Sequence, residues 1–276
     1  MVHGFAAAAG LFFLNFDALA ENRSVYAFDV LGFGRSSRHE FSTKPDVVEE
    51  EFVDSIEEWR KAVELKEFIL LGHSFGGFLA ASYAIKHPSR VKHLILAEPW
   101  GFPEKTEKAA KEFRAQTPFL TKIMDPVLSH FSLLMPFRLA GPWGPQLLQI
   151  LRPDIRTKFA DGFQDNTVVN YLYHCVAQPP SAETAFKTLH SEGWEWAKNP
   201  MLPRMTSLDP NVPITFIYGV DSWMDSRTGK QTAVLRKDSQ VDVIFIRNAG
   251  HHMFAEQHVD FNRELARVCR KTDRAQ

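Results

Sequence analysis

The sequence predicts an α/β fold: a mostly parallel sheet with helices on both faces, interrupted by a helical cap. Three observations carry this. Apolar runs of strand length alternate with helical stretches up to residue 103 and again from residue 210. The residues between, 104–209, keep a helical rhythm broken by prolines. Residues suited to chemistry fall just after the apolar runs, where a parallel sheet gathers its site. The expected division is therefore a core of residues 1–103 and 210–276 and a cap insertion of 104–209.

In chain order, Met1 and Val2 are all that stands before the loop His3-Gly4-Phe5, so the leading strands of such a sheet are expected to be missing, with one sheet edge short or exposed. Leu11 to Leu19 reads as a short helix and Ser24 to Phe28 as a strand. The turn Asp29 to Ser36 contains Gly32 and Gly34, but no G-x-x-x-x-G-K-[ST] pattern, so it reads as scaffold rather than a phosphate loop. Val47 to Leu65 is amphipathic, with Phe52, Ile56, Trp59 and Val63 at helical spacing and glutamates outside them. Phe68 to Leu71 is a buried strand, Phe78 to Ile85 a helix, and Val91 to Ala97 the next strand. The centre of the cap, Phe119 to Leu151, is rich in aromatic and aliphatic residues, including Phe131, Leu133, Leu134, Phe137, Leu139, Trp143 and Ile150. Pro136, Gly141, Pro142, Gly144 and Pro145 exclude one bilayer-spanning helix there. This stretch fits either core packing or a surface that handles acyl chains, as a channel or an interfacial membrane contact. The α/β rhythm resumes with strands at Pro213 to Tyr218 and Val241 to Ile246, and helices at Arg227 to Leu235 and Val259 to Val268.

Composition bounds the function. The 276 residues include 32 basic and 33 acidic side chains, so nothing marks a nucleic-acid binder. Two cysteines, Cys175 and Cys269, suggest a reducing compartment rather than a disulfide framework. There is no repeat, no apolar run of transmembrane length and no basic-then-apolar leader, which favours a cytoplasmic protein. No motif calls for a metal or cofactor.

The chemistry centres on Gly72-His73-Ser74-Phe75-Gly76, which fits the nucleophile elbow G-x-S-x-G between a strand and a helix. A serine on so sharp a turn is held in a strained conformation, and glycines let the neighbouring chains pass. A Gly-rich turn with an incidental serine is the competing explanation; the flanking strand and helix argue against it. His3-Gly4-Phe5 is the loop type that supplies an oxyanion-hole amide in α/β-hydrolases, which makes the Phe5 and Phe75 backbone amides the expected donors. Asp221 and Asp225 follow the strand ending at Gly219, and His251 and His252 follow the last strand. The order Ser, Asp, His is that of α/β-hydrolases.

Several runs together resemble one α/β-hydrolase subfamily: Gly72 to Tyr83, Arg90 to Leu96, Glu98-Pro99-Trp100-Gly101-Phe102-Pro103, and Gly250-His251-His252 with Glu256-Gln257. It comprises an N-acyl-phosphatidylethanolamine lysophospholipase and a coactivator of adipose triglyceride lipase that is also described as a lysophosphatidic acid acyltransferase. The resemblance spans nearly the whole chain from His3. The lysophospholipase branch keeps serine at the elbow and the coactivator branch has asparagine, so Ser74 aligns this chain with the enzymes. The resemblance implies Asp225, in Trp223-Met224-Asp225, as the acid in preference to Asp221, and His251 as the histidine. The subfamily's His-x4-Asp acyltransferase signature reads His251 to Glu256 here, with glutamate substituted, and His258 replaces a proline common in relatives. The resemblance implies a serine hydrolase of (lyso)phospholipid acyl esters, such as N-acyl-phosphatidylethanolamine, with Ser74, Asp225 and His251 as its triad. Acyl transfer to lysophosphatidic acid, or a non-catalytic coactivator role, is the alternative. It also implies an acyl-lipid substrate, peripheral contact with membranes, lipid droplets or mitochondria, and a triglyceride lipase as partner.

Overall fold

A computed structural model describes residues 1–107, 111, 132, 134–191 and 196–274. Its frame is a four-stranded, all-parallel sheet in the order β1 (Phe68–His73), β2 (Val91–Ala97), β3 (Ile214–Gly219), β4 (Val241–Ile246). Strands buried on both faces need apolar residues at successive positions, and β2 and β3 supply them. Leu70, Leu94, Leu96, Ile214, Phe216 and Tyr218 face one core, while Leu71, Ile95, Ala97, Ile217 and Ile246 face the other.

Helices cover both faces. α1 (Phe13–Ala20) follows a short 3₁₀ turn, Ala9–Phe12. α2 (Pro45–Ala62) starts on Pro45, whose fixed φ suits a first helical turn, and carries Asp46 at its N-terminal end and Arg60 and Lys61 in its last turn. Its Val48, Phe52, Val53 and Ile56 enter the first core with α3 (Phe75–Lys86). The second face is closed by α1 and by the chain's last helix, His258–Arg274, through Phe261, Leu265 and Val268. A buried amide pair locks these two helices: Asn15 donates to Asn262 at 2.8 Å and to the Phe254 carbonyl at 2.9 Å.

Ser24 to Phe28 does not form the expected strand. Only Phe28 bridges, in parallel, to Val2, which also bridges to Gly72. A single residue beside β1 cannot sustain a ladder, so the segment runs extended without regular pairing. Beside β1 the pairing continues only through the Val2 bridges, and a cavity of about 350 Å³ lined by Tyr26, Phe28, Trp59 and Phe68 lies there.

Between β2 and β3 the described chain is helical: α4 (Met135–Leu139), α5 (Gly144–Leu151), α6 (Asp154–Lys158), α7 (Thr167–Val176), α8 (Ala182–Leu189) and α9 (Met201–Arg204). Prolines 136 and 145 sit in the first turns of α4 and α5, so the helices are short where the sequence is punctuated. Phe119 to Phe131 and Leu133, expected at the centre of the cap, lie outside the described residues. Phe186 of α8 packs on Phe75 and Trp100 at ring distances of 5.0 and 4.6 Å, joining this layer to the elbow helix. After β3 come α10 (Arg227–Leu235), and after β4 α11 (Met253–Glu256) and α12 (His258–Arg274).

Candidate active site

Ser74 sits between β1 and α3 with φ 55° and ψ −121°, a strained conformation for a residue with a Cβ. The surroundings impose it. The Ser74 N–H donates to the Ala97 carbonyl at 3.0 Å, and the Ser74 carbonyl accepts from Gly77, Phe78 and Trp100. Gly72 allows the close turn, because a Cβ there would strike the Gly76 carbonyl. Phe75 is the first residue of α3, so its N–H is among those the helix leaves without an internal acceptor.

The His3 loop is pinned against the elbow. The Val2 N–H donates to the Leu71 carbonyl at 2.8 Å, and His73 N–H donates to the Val2 carbonyl at 2.9 Å. The Val30 N–H donates to His3 Nε2 at 2.9 Å, so His3 Nδ1 carries the proton that is shared with the Gly4 carbonyl at 2.8 Å. Burial favours this neutral imidazole by lowering its pKa. Gly4 runs so close to the elbow that a Cβ on it would lie 2.9 Å from Ser74 Cβ. Phe5 follows, its ring against Phe33 and Phe186. The two expected amide donors, Phe5 and Phe75, thus come from two segments that meet at Ser74.

His251 follows β4 and is held to the elbow through a residue that sequence reasoning passed over. His73 Nε2–H donates to the His251 carbonyl at 2.8 Å, and the two rings lie 4.7 Å apart. Burial, then the neighbouring His251, holds the His73 pKa well below the usual value, so His73 acts as a neutral donor. Trp223 lies 5.0 Å from the His251 ring on another side. Burial pushes the His251 pKa down to about 4, assisted by the positive charges of Lys158 and Arg152 against the opposing pull of Glu256. At neutral pH the imidazole is therefore uncharged, the form a general base needs.

The acid is where the structure departs from expectation. Asp225 lies after β3, but its carboxylate is bound in two places by Arg227, through Nε and Nη2, both at 2.8 Å, and also accepts from the Arg227 N–H. Burial raises the Asp225 pKa, yet these bonds outweigh it and hold it below the usual range. Asp221 donates its N–H to the Ala249 carbonyl at 2.9 Å. Neither aspartate forms an ion pair with His251. The carboxylate facing His251 Nδ1 belongs to Glu98, at 3.5 Å. The signal that pointed to Glu98 was available: it is an acid placed directly after β2, at the same end of the sheet as Ser74.

Glu256, the acid of the His-x4-Glu run, accepts from the Gly250 N–H and pairs with Lys158 Nζ at 2.7 Å. Lys158 also pairs with Asp154 at 3.0 Å and reaches His252 Nδ1 at 3.5 Å. Glu256 is thereby a cap on the histidine loop and an anchor for α6. Among the described residues, no His, Cys, Asp and Glu cluster is placed to hold a metal ion, and both cysteines are buried thiols.

A parallel sheet with helices on both faces, a serine on a strained strand-to-helix turn and a histidine after the last strand define an α/β hydrolase. The family model described as the alpha/beta hydrolase fold matches residues 1–257, and the chain belongs to that family. Its relatives include the human protein named (lyso)-N-acylphosphatidylethanolamine lipase, 50% identical over 273 residues, covering 99% of this chain and 79% of that protein. The pig protein named 1-acylglycerol-3-phosphate O-acyltransferase ABHD5 is 48% identical over 273 residues, covering 99% and 77%. Among solved structures, a bacterial membrane phospholipase A aligns with a TM-score of 0.68 at 20% identity, covering 99% of this chain and 78% of that one. The meta-cleavage product hydrolase of Pseudomonas fluorescens IP01 aligns with a TM-score of 0.66, also at 20% identity, covering 98% and 89%. These two share the fold.

Proposed function

We propose that this chain is a serine esterase that cleaves acyl esters of (lyso)phospholipids, including N-acyl-phosphatidylethanolamines. The observation that carries the reading is the juxtaposition of strained Ser74 with the His251 loop through the 2.8 Å bond from His73. The half-identical relative named (lyso)-N-acylphosphatidylethanolamine lipase supports the substrate class.

In this mechanism Ser74 Oγ attacks the ester carbonyl while His251 accepts its proton; the Phe5 and Phe75 amides stabilise the developing oxyanion. His251 then protonates the departing alcohol, and water, activated by the same histidine, releases the fatty acid. Each amide donor is worth about 2.7–4 kcal/mol in the transition state. Two carboxylates compete for the third position, Asp225 by resemblance and Glu98 by contact.

Residues 104–209 serve in this reading as a cap that handles the acyl chain. Leu139, Trp143, Ile150 and Leu151 on it are each more than half exposed, which supports peripheral contact with a lipid surface. Among the described residues no helix is long and apolar enough to cross the membrane.

Ser74→Ala is expected to abolish labelling by a fluorophosphonate probe and release of fatty acid from lyso-N-acyl-phosphatidylethanolamine; a labelled, active mutant would remove Ser74 from the role. The acyltransferase name of a 48%-identical relative favours testing one more acceptor. With lysophosphatidic acid and an acyl donor present, free fatty acid alone is expected. Formation of phosphatidic acid would assign acyl transfer instead.

A further inference from the structure

Glu98 is fully buried, yet it is not a residue that packing alone explains. It follows β2 with φ 49°, in the left-handed region that costs energy for any residue with a Cβ. Strain of this kind persists only where the surroundings enforce it, and it concentrates at functional sites. The surroundings here are specific. The Glu98 N–H donates to the Ile217 carbonyl at 2.9 Å, fixing the backbone to β3. On the side chain, the Gly219 N–H donates to Oε1 at 2.6 Å and the Ser222 hydroxyl donates to Oε2. Those donors aim the carboxylate toward His251, leaving Oε2 3.5 Å from Nδ1.

The histidine side of the contact is equally informative. His251 Nδ1 is buried and has no hydrogen-bond partner among the described residues. A buried imidazole nitrogen left unbonded is costly, and 3.5 Å is the separation of a contact that a small rotation of the ring closes. Asp225, the competing acid, is paired instead with the exposed Arg227 at 2.8 Å. We propose that Glu98, not Asp225, is the carboxylate that orients the His251 imidazole and supports its positive charge during turnover. This rests on the reading of Ser74 and His251 as nucleophile and base. Glu98 acts through His251, so it is a positioning residue that holds the proton on Nδ1 and leaves Nε2 to accept from Ser74.

The pH dependence follows from the groups around the pair. Burial pushes the Glu98 pKa up to about 7, against the lowering pull of Ser222 and Gly219, and Glu256 adds to the rise. His251 faces His73 from the elbow, Lys158 and Arg152 from the helical layer, and His252 and Glu256 from its own loop. The supporting form of Glu98 is the carboxylate, which gains population as pH rises. kcat/KM is therefore expected to climb with pH along a limb centred near 7.

The experiment compares Glu98→Gln, Glu98→Asp and Asp225→Asn with the unmodified chain, using a short activated ester across pH 5 to 9 and proton NMR of ¹⁵N-histidine-labelled protein. Glu98→Gln is expected to lower kcat by about 10⁴-fold, the size of an acid-to-amide change in a serine–histidine–aspartate site, and to remove the limb near pH 7. Glu98→Asp is expected to restore part of the rate together with the limb, which a filler of space would not do. Asp225→Asn is expected to stay within a few-fold of the parent at all pH values. The downfield Nδ1–H resonance of His251 should persist in the parent and in Asp225→Asn and vanish in Glu98→Gln. Because the resonance needs no turnover, a parent that shows it but hydrolyses no ester leaves the pairing in place and overturns only the esterase reading. Glu98→Gln retaining parental rate and resonance, or Asp225→Asn losing both, overturns the proposal.

Discussion

At the scale of single residues, Gly4 leaves the loop beside Ser74 no room for a side chain. The loop that offers the Phe5 amide can pass Ser74 only because nothing projects from Gly4; a Cβ would meet Ser74 Cβ at 2.9 Å and His73 Nδ1 at 3.2 Å. Both neighbours are themselves fixed, Ser74 by its backbone bonds and His73 by its bond to His251. Gly4→Ala should therefore push the loop rather than the elbow, withdrawing the Phe5 amide proposed as an oxyanion donor. A shift near 1 Å is expected to cost on the order of 100-fold in rate. The check is kcat/KM for a short ester beside a thermal melt: a lost rate with little change in melting temperature is expected, and a parental rate would show that the Phe5 amide takes no part.

At the scale of elements, α6 and the histidine loop are coupled through one cation. Lys158, on α6, contacts Asp154 on its own helix and both Glu256 and His252 beside the site. After burial, its charge is the next cause of the low His251 pKa. Lys158→Met removes that charge while keeping the apolar stem, so the His251 pKa is expected to move upward from about 4. The base still has to be neutral, and a rise toward the ordinary histidine value keeps it so above pH 7. Activity at pH 8 should thus change little while the NMR titration of His251 shifts to higher pH. An unmoved titration would mean that the charge is screened from the imidazole.

At the scale of the whole molecule, the two faces of the sheet are closed by different partners, and the helical layer between β2 and β3 presents an unusual outer surface. Leu139, Trp143 and Ile150 are each more than 70% exposed, and Leu151 56%. Isolated exposed apolar residues need no explanation, but four on the successive helices α4 and α5 and the turn between them suit an acyl-chain interface. Replacing Trp143 and Ile150 by serine should weaken flotation with phosphatidylcholine vesicles several-fold while leaving hydrolysis of a short soluble ester unchanged. Equal flotation of the two proteins would remove this surface from lipid contact.

The sequence by itself determined the four strands of the sheet and placed Ser74 and His251 just after two of them. The strand-length runs Val91 to Ala97 and Val241 to Ile246, apolar but for Lys92, His93 and Asp242, became β2 and β4 over those same residues, and Arg227 to Leu235 became a helix with those bounds. Such features are legible because they depend on local periodicity and covalent spacing. Gly72 to Gly76 was legible for the same reason, since the elbow's strain is written into consecutive residues. The Ser24 to Phe28 segment has the composition of a strand but pairs only at Phe28, because a strand also needs a neighbour and Val2 offers a single bridge. Only the tertiary structure decided which carboxylate meets His251. Asp225 and Glu98 both follow strands, and the difference lies in Arg227 capturing one while Gly219 and Ser222 aim the other. It also decided that His73, separated from His251 by 178 positions, holds the histidine loop to the elbow. Contacts of that range depend on how the sheet packs its ends together, a through-space fact that no local pattern encodes.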